Sequence, residues 1–190
     1  FQDIAITHLD DILFSGTSVV GNTDADGKMF YFELVNAKSI DTVRMTDVLG
    51  QLFSTSSDGR PYGLYFNAPD NATDGSLVNM WIRDSRFDHT TLAGMYINVA
   101  SGNDSILNSW NIRGNGFLTD TGKGLVIAHA GDKGMGGMTL TENWAYIKDD
   151  SEAFDLNFGE GQGAIIPANN MAIDGTAGGT AGATKAAFKY

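Results

Sequence analysis

Carboxylate side chains are clustered at two places in the sequence where they could serve acid–base chemistry. Asp84 and Asp88 are four residues apart, and the segment "KDDSE" (148–152) is followed closely by Asp155. A glycoside hydrolase needs two carboxyl groups about 5–9 Å apart, one of them with a raised pKa. A polysaccharide lyase needs a basic side chain near the acidic proton of the sugar, and Lys148 or Arg86 could supply it. Because the chain carries 23 Asp and Glu residues, chance proximity is the alternative. The catalytic candidates are Asp84, Asp88, Lys148 and Asp149.

The segment "NTDADGKMFYFE" (22–33) has the spacing of a calcium-binding loop. Oxygen-bearing side chains occur at alternate positions, a Gly allows a sharp turn, and the Glu at the twelfth position can bind in bidentate fashion. The candidate ligands are Asn22, Asp24, Asp26 and Glu33, and Ca²⁺ is the only cofactor that the sequence suggests. The alternative is an Asp-Gly turn between two strands, because "MFYFE" has the composition of a strand that would carry Glu33 away from the loop.

Three arginines are predicted to share one outward-facing column. Arg44, Arg83 and Arg113 follow similar apolar residues in successive segments of the chain. Stacked like charges repel one another unless carboxylates or an anionic ligand lie between them. The column therefore predicts either local ion pairs with nearby Asp and Glu or a groove for an acidic sugar.

Aromatic side chains also occur at positions that we expect to face solvent. Tyr65, Tyr96 and Trp81 are the predicted outward aromatics, whereas Trp110 and Trp144 are expected in the core. An exposed aromatic ring can pack against a sugar ring or against a neighbouring subunit. The ligand-binding candidates are Tyr65, Tyr96, Trp81, Arg83 and Arg113.

These candidates belong to a repeat of about 30 residues. One series of similar segments consists of "GLYFN" (63–67), "GMYIN" (94–98), "GLVIA" (124–128) and "AFDLN" (153–157). A second series precedes it and includes "WIRDSRF" (81–87) and "NIRGNGF" (111–117). Two short strands per repeat, with no helix between them, predict a parallel β-solenoid.

Alternation along the strands predicts which side chains share a face. Two inward columns are expected, and they consist of Leu64, Met95, Leu125 and Phe154 and of Phe66, Ile97, Ile127 and Leu156. The outward column between them consists of Tyr65, Tyr96, Val126 and Asp155.

Two series of polar residues are predicted to form hydrogen-bonded ladders along the solenoid. Asn67, Asn98 and Asn157 follow the inward residues, and we expect them at a sharp bend because Asn tolerates the left-handed conformation. A second ladder is predicted for Ser85, Asn115 and Asn143. The alternative is that these residue types are simply common in turns.

This arrangement resembles the right-handed parallel β-helix superfamily, which includes pectate-lyase-like proteins and phage tailspikes. The resemblance rests on the unit Ile112, Asn115 and Phe117, followed by the Gly-apolar-x-apolar-Asn unit, and it covers about residues 38–160. It implies an all-β, right-handed parallel β-helix of about six coils, stacked about 4.8 Å apart. The alternative fold is an antiparallel sandwich or jelly roll.

The domain organisation follows from the extent of the repeat. We expect one β-helix domain over residues 1–173, with an irregular first coil in 1–37 and regular coils in 38–160. Residues 174–190 form a tail rich in Gly, Ala and Thr. A solenoid without caps exposes sheet edges, so we also expect a homo-oligomer, such as a trimer, or a larger assembly.

Composition excludes several classes of partner. The chain has 190 residues, no Cys and a formal net charge of −11. Without Cys there are no disulfides or thiolate metal sites. The negative charge argues against binding to nucleic acid or to an anionic membrane. No apolar run approaches the roughly 20 residues of a membrane-spanning helix.

The resemblance implies three alternative functions. The first is a virion or tailspike-like protein, outside the cell, that contacts surface polysaccharide as an adhesin or depolymerase. The second is a polysaccharide lyase or glycoside hydrolase, and the third is a purely structural capsid-decoration or fibre subunit. Fold alone does not choose among them, because unrelated functions share folds.

Overall fold

The structure is a computed structural model in which most of the described residues lie in β-strands. It describes residues 8–9, 12–15, 18–20, 28–34, 39–51, 62–69, 75–101, 106–119, 122–130, 136–147, 152–158, 165–174 and 188–189. Within these ranges there is no α-helix, and accordingly no helix long and apolar enough to cross a membrane.

The strands are short and follow one another closely along the chain. In chain order they are β1 (His8–Leu9), β2 (Ile12–Ser15), β3 (Ser18–Val20), β4 (Lys28–Glu33), β5 (Ser39–Asp41), β6 (Val43–Thr46), β7 (Leu49–Gln51), β8 (Tyr62–Ala68), β9 (Ser76–Val78), β10 (Trp81–Arg83), β11 (Arg86–Thr90), β12 (Ala93–Val99), β13 (Ile106–Asn108), β14 (Trp110–Arg113), β15 (Gly116–Thr119), β16 (Lys123–His129), β17 (Met138–Thr141), β18 (Trp144–Ile147), β19 (Phe154–Asn157), β20 (Ile165–Ala168), β21 (Met171–Asp174) and β22 (Phe188–Lys189).

The strands form four parallel sheets, which we call sheets I to IV. Sheet I has the strand order β1-β5-β9-β13, and sheet II has the order β2-β6-β10-β14-β17-β20. Sheet III has the order β3-β7-β11-β15-β18-β21, and sheet IV has the order β4-β8-β12-β16-β19-β22. Each described pairing is parallel, as between β8 and β12 and between β10 and β14. The all-β parallel solenoid is therefore confirmed, and the antiparallel sandwich or jelly roll is wrong.

Each early coil contains four strands, whereas the sequence predicts two. The additional boundaries between consecutive strands of a coil are short. One residue in the left-handed conformation is enough there to turn the chain from one sheet to the next. Between sheets I and II these residues are Thr42, Asn79 and Ser109, and between sheets II and III they are Asp47, Asp84, Gly114, Glu142 and Asn169, with φ from 48° to 69°. A short group of turn residues marks such a boundary in the sequence, as at Asp84-Ser85 and Gly114-Asn115.

The predicted inward columns are confirmed. In sheet IV, Met95 pairs with Leu64 on one side and with Leu125 on the other, and Leu125 pairs with Phe154. The second column is in register in the same way, and the members of both columns are buried. Each coil buries its apolar side chains against the coils above and below. The shared register therefore stacks the strands of sheet IV in chain order along the axis.

The glycine that opens each of three repeats lies where a side chain would clash. A Cβ atom at Gly94 would lie 2.5 Å from Cδ1 of Phe117 and 2.8 Å from the carbonyl oxygen of Gly124. Phe87 and Phe117 stack with their ring centroids 6.2 Å apart and fill this part of the interior. Gly63 and Gly124 meet similar neighbours, so the recurring Gly reflects close packing between sheets III and IV.

The ladder predicted for Ser85, Asn115 and Asn143 is confirmed and continues to Asn170. The Oδ1 atoms of Asn115, Asn143 and Asn170 each accept a hydrogen bond of 3.0 Å from the backbone N–H of the ladder residue in the preceding coil. Asn115 Nδ2 also donates to the carbonyl of Ile82, at 2.7 Å. Ser85, Asn115 and Asn143 are buried, so the ladder satisfies backbone groups that no water reaches.

The bend predicted at Asn67, Asn98 and Asn157 is wrong. These residues lie within β8, β12 and β19, and none of them has a positive φ. They face outward because they alternate with buried neighbours along extended strands.

Candidate functional site

Four tyrosine rings form a continuous cluster on the outer face of sheet IV, which we call the tyrosine face (Tyr31, Tyr62, Tyr65 and Tyr96). Tyr31, Tyr65 and Tyr96 are in register on β4, β8 and β12. The ring centroid of Tyr65 lies 5.4 Å from that of Tyr31 and 5.0 Å from that of Tyr96. Tyr62 lies 4.7 Å from Tyr65 and 5.1 Å from Tyr96.

The local strand structure explains how two tyrosines of β8 face outward. Gly63 and Leu64 are consecutive buried residues, which places Tyr62 and Tyr65 on the same side of the sheet. All four rings are half-buried. Tilted and edge-on contacts between aromatic rings are favourable, so they stabilise the arrangement of the four rings.

Lys28 lies beside the tyrosine face. Its Nζ atom is 4.9 Å from the ring centroid of Tyr31 and 5.7 Å from that of Tyr65. Such an ammonium group is attracted by the electron-rich faces of the rings. The cation therefore adds to the order of the cluster.

A row of amide and carboxylate groups runs along one side of the tyrosine face. Asn98 Nδ2 donates to Asn67 Oδ1 at 2.8 Å, and Asn67 Nδ2 donates to Glu33 Oε2 at 2.9 Å. Glu33 also accepts a hydrogen bond from the hydroxyl of Tyr31, and the hydroxyl of Tyr65 lies 3.5 Å from Asn67 Oδ1. The predicted hydrogen bonding between stacked Asn amides is confirmed for Asn67 and Asn98.

The other end of the tyrosine face carries a compensated charge. Lys123 forms ion pairs with Glu152, at 3.3 Å, and with Asp155. Burial lowers the pKa of Lys123, but the hydrogen bonds and charges of Asp155 and Glu152 outweigh this effect and raise it above 10.5. Lys123 is therefore protonated at neutral pH, with two carboxylates around it.

The tyrosine hydroxyls are held in the neutral form. Burial raises the pKa of Tyr65 to about 12, with smaller contributions from Tyr62, Tyr96 and Glu33. Burial also raises the pKa of Tyr62 and of Tyr96 above 10, and in Tyr96 the charge of Asp155 adds to the effect. At neutral pH these hydroxyls can donate and accept hydrogen bonds, but they are poor general bases.

The predicted arginine column is wrong in one member. On sheet II, Arg83 pairs with Arg113, but Arg44 pairs with Trp81. The chain takes 39 residues from Arg44 to Arg83 and 30 from Arg83 to Arg113, so the simple period fails at this step. Arg44 and Arg83 instead flank the exposed ring of Trp81, at 5.2 and 4.8 Å from its centroid.

The arginines of sheet II have local partners. Arg113 Nε lies 2.9 Å from Glu142 Oε2, and Arg83 Nε donates to Asn111 Oδ1 at 2.9 Å. The predicted ligand-binding residues thus divide between two faces: Tyr65 and Tyr96 lie on sheet IV, whereas Trp81, Arg83 and Arg113 lie on sheet II.

The catalytic candidates are not assembled into one described site. Asp84 is exposed at the corner between sheets II and III, with φ of 48°. Asp88 lies on β11, where it is buried and forms an ion pair with Arg86 at 2.7 Å. Lys148 and Asp149 lie outside the described residues, as do the calcium candidates Asn22, Asp24 and Asp26. Within the described ranges, no group of three His, Asp or Glu residues is placed to hold a metal ion.

The two remaining tryptophans differ in environment. Trp110 is buried as predicted, and its Nε1 donates to the carbonyl of Leu77 at 2.9 Å. The core prediction for Trp144 is wrong, because its half-exposed ring lies on the outer face of sheet III above Gly116. Gly116 has no side chain, so the ring can lie flat against the strand.

Sequence reasoning missed Tyr31, Tyr62, Lys28 and Lys123. The signal for Tyr31 is present, because "MFYFE" (29–33) matches "GLYFN" (63–67) in its apolar-Tyr-apolar order. Tyr62 and Lys123 precede the recurring Gly, and both face outward there.

Comparison of the chain with family models, with curated proteins and with solved structures found no match.

Proposed function

We propose that this protein is a virion or tailspike-like β-helix, of the right-handed pectate-lyase-like kind, that contacts surface polysaccharide outside the cell. The contact surface is the tyrosine face of sheet IV. The observation that carries the proposal is the cluster of four adjoining tyrosine rings beside a row of side-chain amides.

The chemistry of this surface suits a sugar chain. Aromatic rings pack against the apolar faces of sugar rings, and the hydroxyl and amide groups beside them can exchange hydrogen bonds with sugar hydroxyls. Successive strands repeat these groups about every 4.8 Å along the solenoid axis. An extended polymer lying along the axis can therefore make the same contact at several positions.

The charges on this face favour an uncharged sugar over an acidic one. Lys123 is neutralised by Glu152 and Asp155, and Glu33 adds a further negative charge near Tyr31. An acidic polymer would meet this negative charge, which the nearby Lys28 offsets only in part. A neutral polysaccharide meets no such electrostatic repulsion.

The groups on this face also favour binding over cleavage. A general base or acid works best with a pKa near the working pH. Here the pKa values of Tyr62, Tyr65, Tyr96 and Lys123 are all raised away from neutrality.

The test is a panel of neutral and acidic polysaccharides, screened for binding by calorimetry and for release of new sugar ends. We expect saturable binding of a neutral polymer, a loss of affinity of about tenfold or more in Tyr96→Ala, and no turnover. Tyr146→Ala is the matched control, because Tyr146 is also half-exposed but lies on sheet III. Equal loss in both variants, or no binding by the native protein, would overturn the proposal.

A second candidate, a glycoside hydrolase, draws on one observation. Glu152 and Asp155 both contact Lys123 beside Tyr96, so two carboxylates adjoin the proposed sugar surface. If sugar ends are released and both Glu152→Gln and Asp155→Asn abolish the release, this candidate replaces simple binding. If no polymer binds or is cleaved, a structural fibre or capsid subunit is the function to pursue.

A further inference from the structure

We propose that the outer face of sheet II is a self-complementary surface that binds a second copy of this chain. This interface is separate from the tyrosine face, which lies on sheet IV. It would join two solenoids side by side, with their axes parallel.

Sheet II carries a basic strip directly beside an acidic row. The basic strip consists of Arg44 and Arg83, which flank the ring of Trp81 (41% exposed), and of Arg113, which pairs with Arg83 on the next strand. The acidic row lies at the corner between sheets II and III and consists of the exposed residues Asp47, Asp84 and Glu142. Opposite charges adjoin each other at Arg83 and Asp84, whereas in the next coil the corner residue beside Arg113 is Gly114 and Arg113 pairs with Glu142 of its own chain.

This pattern fits a particular symmetry. In an interface with two-fold symmetry, the same patch on both copies must complement itself. A two-fold axis parallel to the solenoid axis keeps each strand at its own height but exchanges the left and right sides of the face. When this axis runs along the boundary between the basic strip and the corner, Arg83 of one copy approaches Asp84 of the other.

The alternative two-fold axis, perpendicular to the solenoid axis within the plane of the face, is unfavourable. It would place the basic strip of one copy against the basic strip of the other, and the acidic row against the acidic row. Like charges opposed across an interface disfavour association. The charge pattern therefore selects the parallel arrangement.

The residue types also suit a protein partner. Trp and Arg are enriched where interfaces derive most of their binding energy. The chain as a whole carries 23 acidic and 12 basic residues, so a basic strip finds acidic surface on another copy. A free polyanion would meet the basic strip too, but it would also meet the acidic row that borders it.

The size of the face predicts weak association. Six strands at about 4.8 Å and about four residues per strand give an outer face of roughly 24 by 13 Å, or about 300 Å². A stable interface buries about 800 Å² on each partner. We therefore expect dissociation constants in the range of about 10 μM to 1 mM.

The test uses charge reversal on each side of the proposed contact, followed by sedimentation velocity over a concentration series. Arg83→Asp and Asp84→Lys should each weaken self-association by about tenfold or more. An equimolar mixture of the two variants should restore it, because each variant then supplies the charge that the other has lost. Glu142 occupies the equivalent corner position in a later coil, so a long side chain fits at position 84.

Controls separate this interface from the sugar surface and from misfolding. Circular dichroism should show both variants folded, and both should bind the neutral polysaccharide as the native protein does. Tyr96→Ala should leave self-association unchanged. The proposal is overturned if the native protein stays monomeric at about 1 mM, or if the mixture of variants associates no better than either alone. It is equally overturned if an acidic polysaccharide binds to this face of the monomer in a manner abolished by Arg83→Asp.

Discussion

Replacement of Asn115 by Ala should destabilise the protein strongly, because this side chain is the centre of the buried ladder. Asn115 accepts from the N–H of Ser85 at 3.0 Å and donates to Ile82 O at 2.7 Å and to Asn143 Oδ1 at 3.0 Å. Loss of the first bond leaves a buried N–H without a partner, which costs about 1–3 kcal/mol. Loss of the two others costs about 0.5–1.5 kcal/mol each. The expected loss of unfolding free energy is therefore about 4 kcal/mol, within a range of about 2–6.

Urea denaturation measures this loss directly. Tryptophan fluorescence and far-UV circular dichroism should give coincident transitions, since a single free energy of unfolding is defined only for two-state behaviour. Asn98→Ala is the matched control, because Asn98 is half-exposed on sheet IV and donates one side-chain hydrogen bond, to Asn67 at 2.8 Å. It should cost no more than about 1 kcal/mol.

Asn115→Asp tests whether the donor group matters as well as the acceptor. The carboxylate keeps an oxygen for the N–H of Ser85, but it places a negative charge against the carbonyl of Ile82 and Oδ1 of Asn143. At neutral pH this variant should be less stable than Asn115→Ala, because a buried charge without a partner is costly. If Asn115→Ala costs no more than Asn98→Ala, the buried ladder does not stabilise the fold.

Three further outcomes are expected from the same structure. Gly94→Ala should lower the free energy of unfolding by about 1–3 kcal/mol in urea denaturation, because its Cβ would meet Phe117 and a backbone oxygen. Gly137→Ala is the control, because a Cβ at position 137 meets no atom within 4 Å. It should change the free energy of unfolding by less than about 0.5 kcal/mol. The pKa of Tyr65 is raised from 10 to about 12, so its contribution to stability is complete below pH 10 and is lost as the pH rises through 12. Ultraviolet titration of the native protein and of Tyr65→Phe should show that the native protein has one additional phenolate that forms late. If the two titration curves do not differ in this way, burial does not raise the pKa of Tyr65. Lys123→Gln should cost no more than about 1 kcal/mol in thermal unfolding, because its ion pairs are partly open to solvent; a larger loss would mean that the pairs are better shielded.

The sheet IV columns could be predicted from the sequence because two strong signals coincide there. Side chains alternate along the strand, and Leu64, Met95 and Leu125 recur at nearly constant spacing. An insertion of any odd length within a strand would have reversed the faces, so the agreement of both signals fixed the register.

The same reasoning failed where the chain between equivalent strands has a different length. The step from Met45 to its partner Ile82 is 37 residues, whereas the step from Ile82 to its partner Ile112 is 30. Most of the difference lies between β7 and β8, which residues 52–61 separate, whereas only Thr91 and Leu92 separate β11 from β12. For this reason the position of Arg44 could not be read from the spacing that correctly related Arg83 to Arg113.

The sequence predicted only two of the four members of the tyrosine face. Tyr65 and Tyr96 lie at matching positions of clear repeats, but Tyr62 faces outward only because Gly63 and Leu64 are buried in succession. Strict alternation would have placed Tyr62 in the core. Local irregularity of this kind is set by tertiary packing against Phe87, which lies far away in the sequence.

The common register of sheet IV has a consequence for how proteins of this shape can change in size. Leu64 and Leu125 contact opposite sides of Met95 with the same side-chain type, so either could serve as the neighbour of the other. Excision or duplication of one whole repeat would leave matching surfaces on both sides of the cut. Length in this molecule is therefore quantised: a gene can lengthen or shorten the rod in steps of about 4.8 Å, and intermediate lengths are not available.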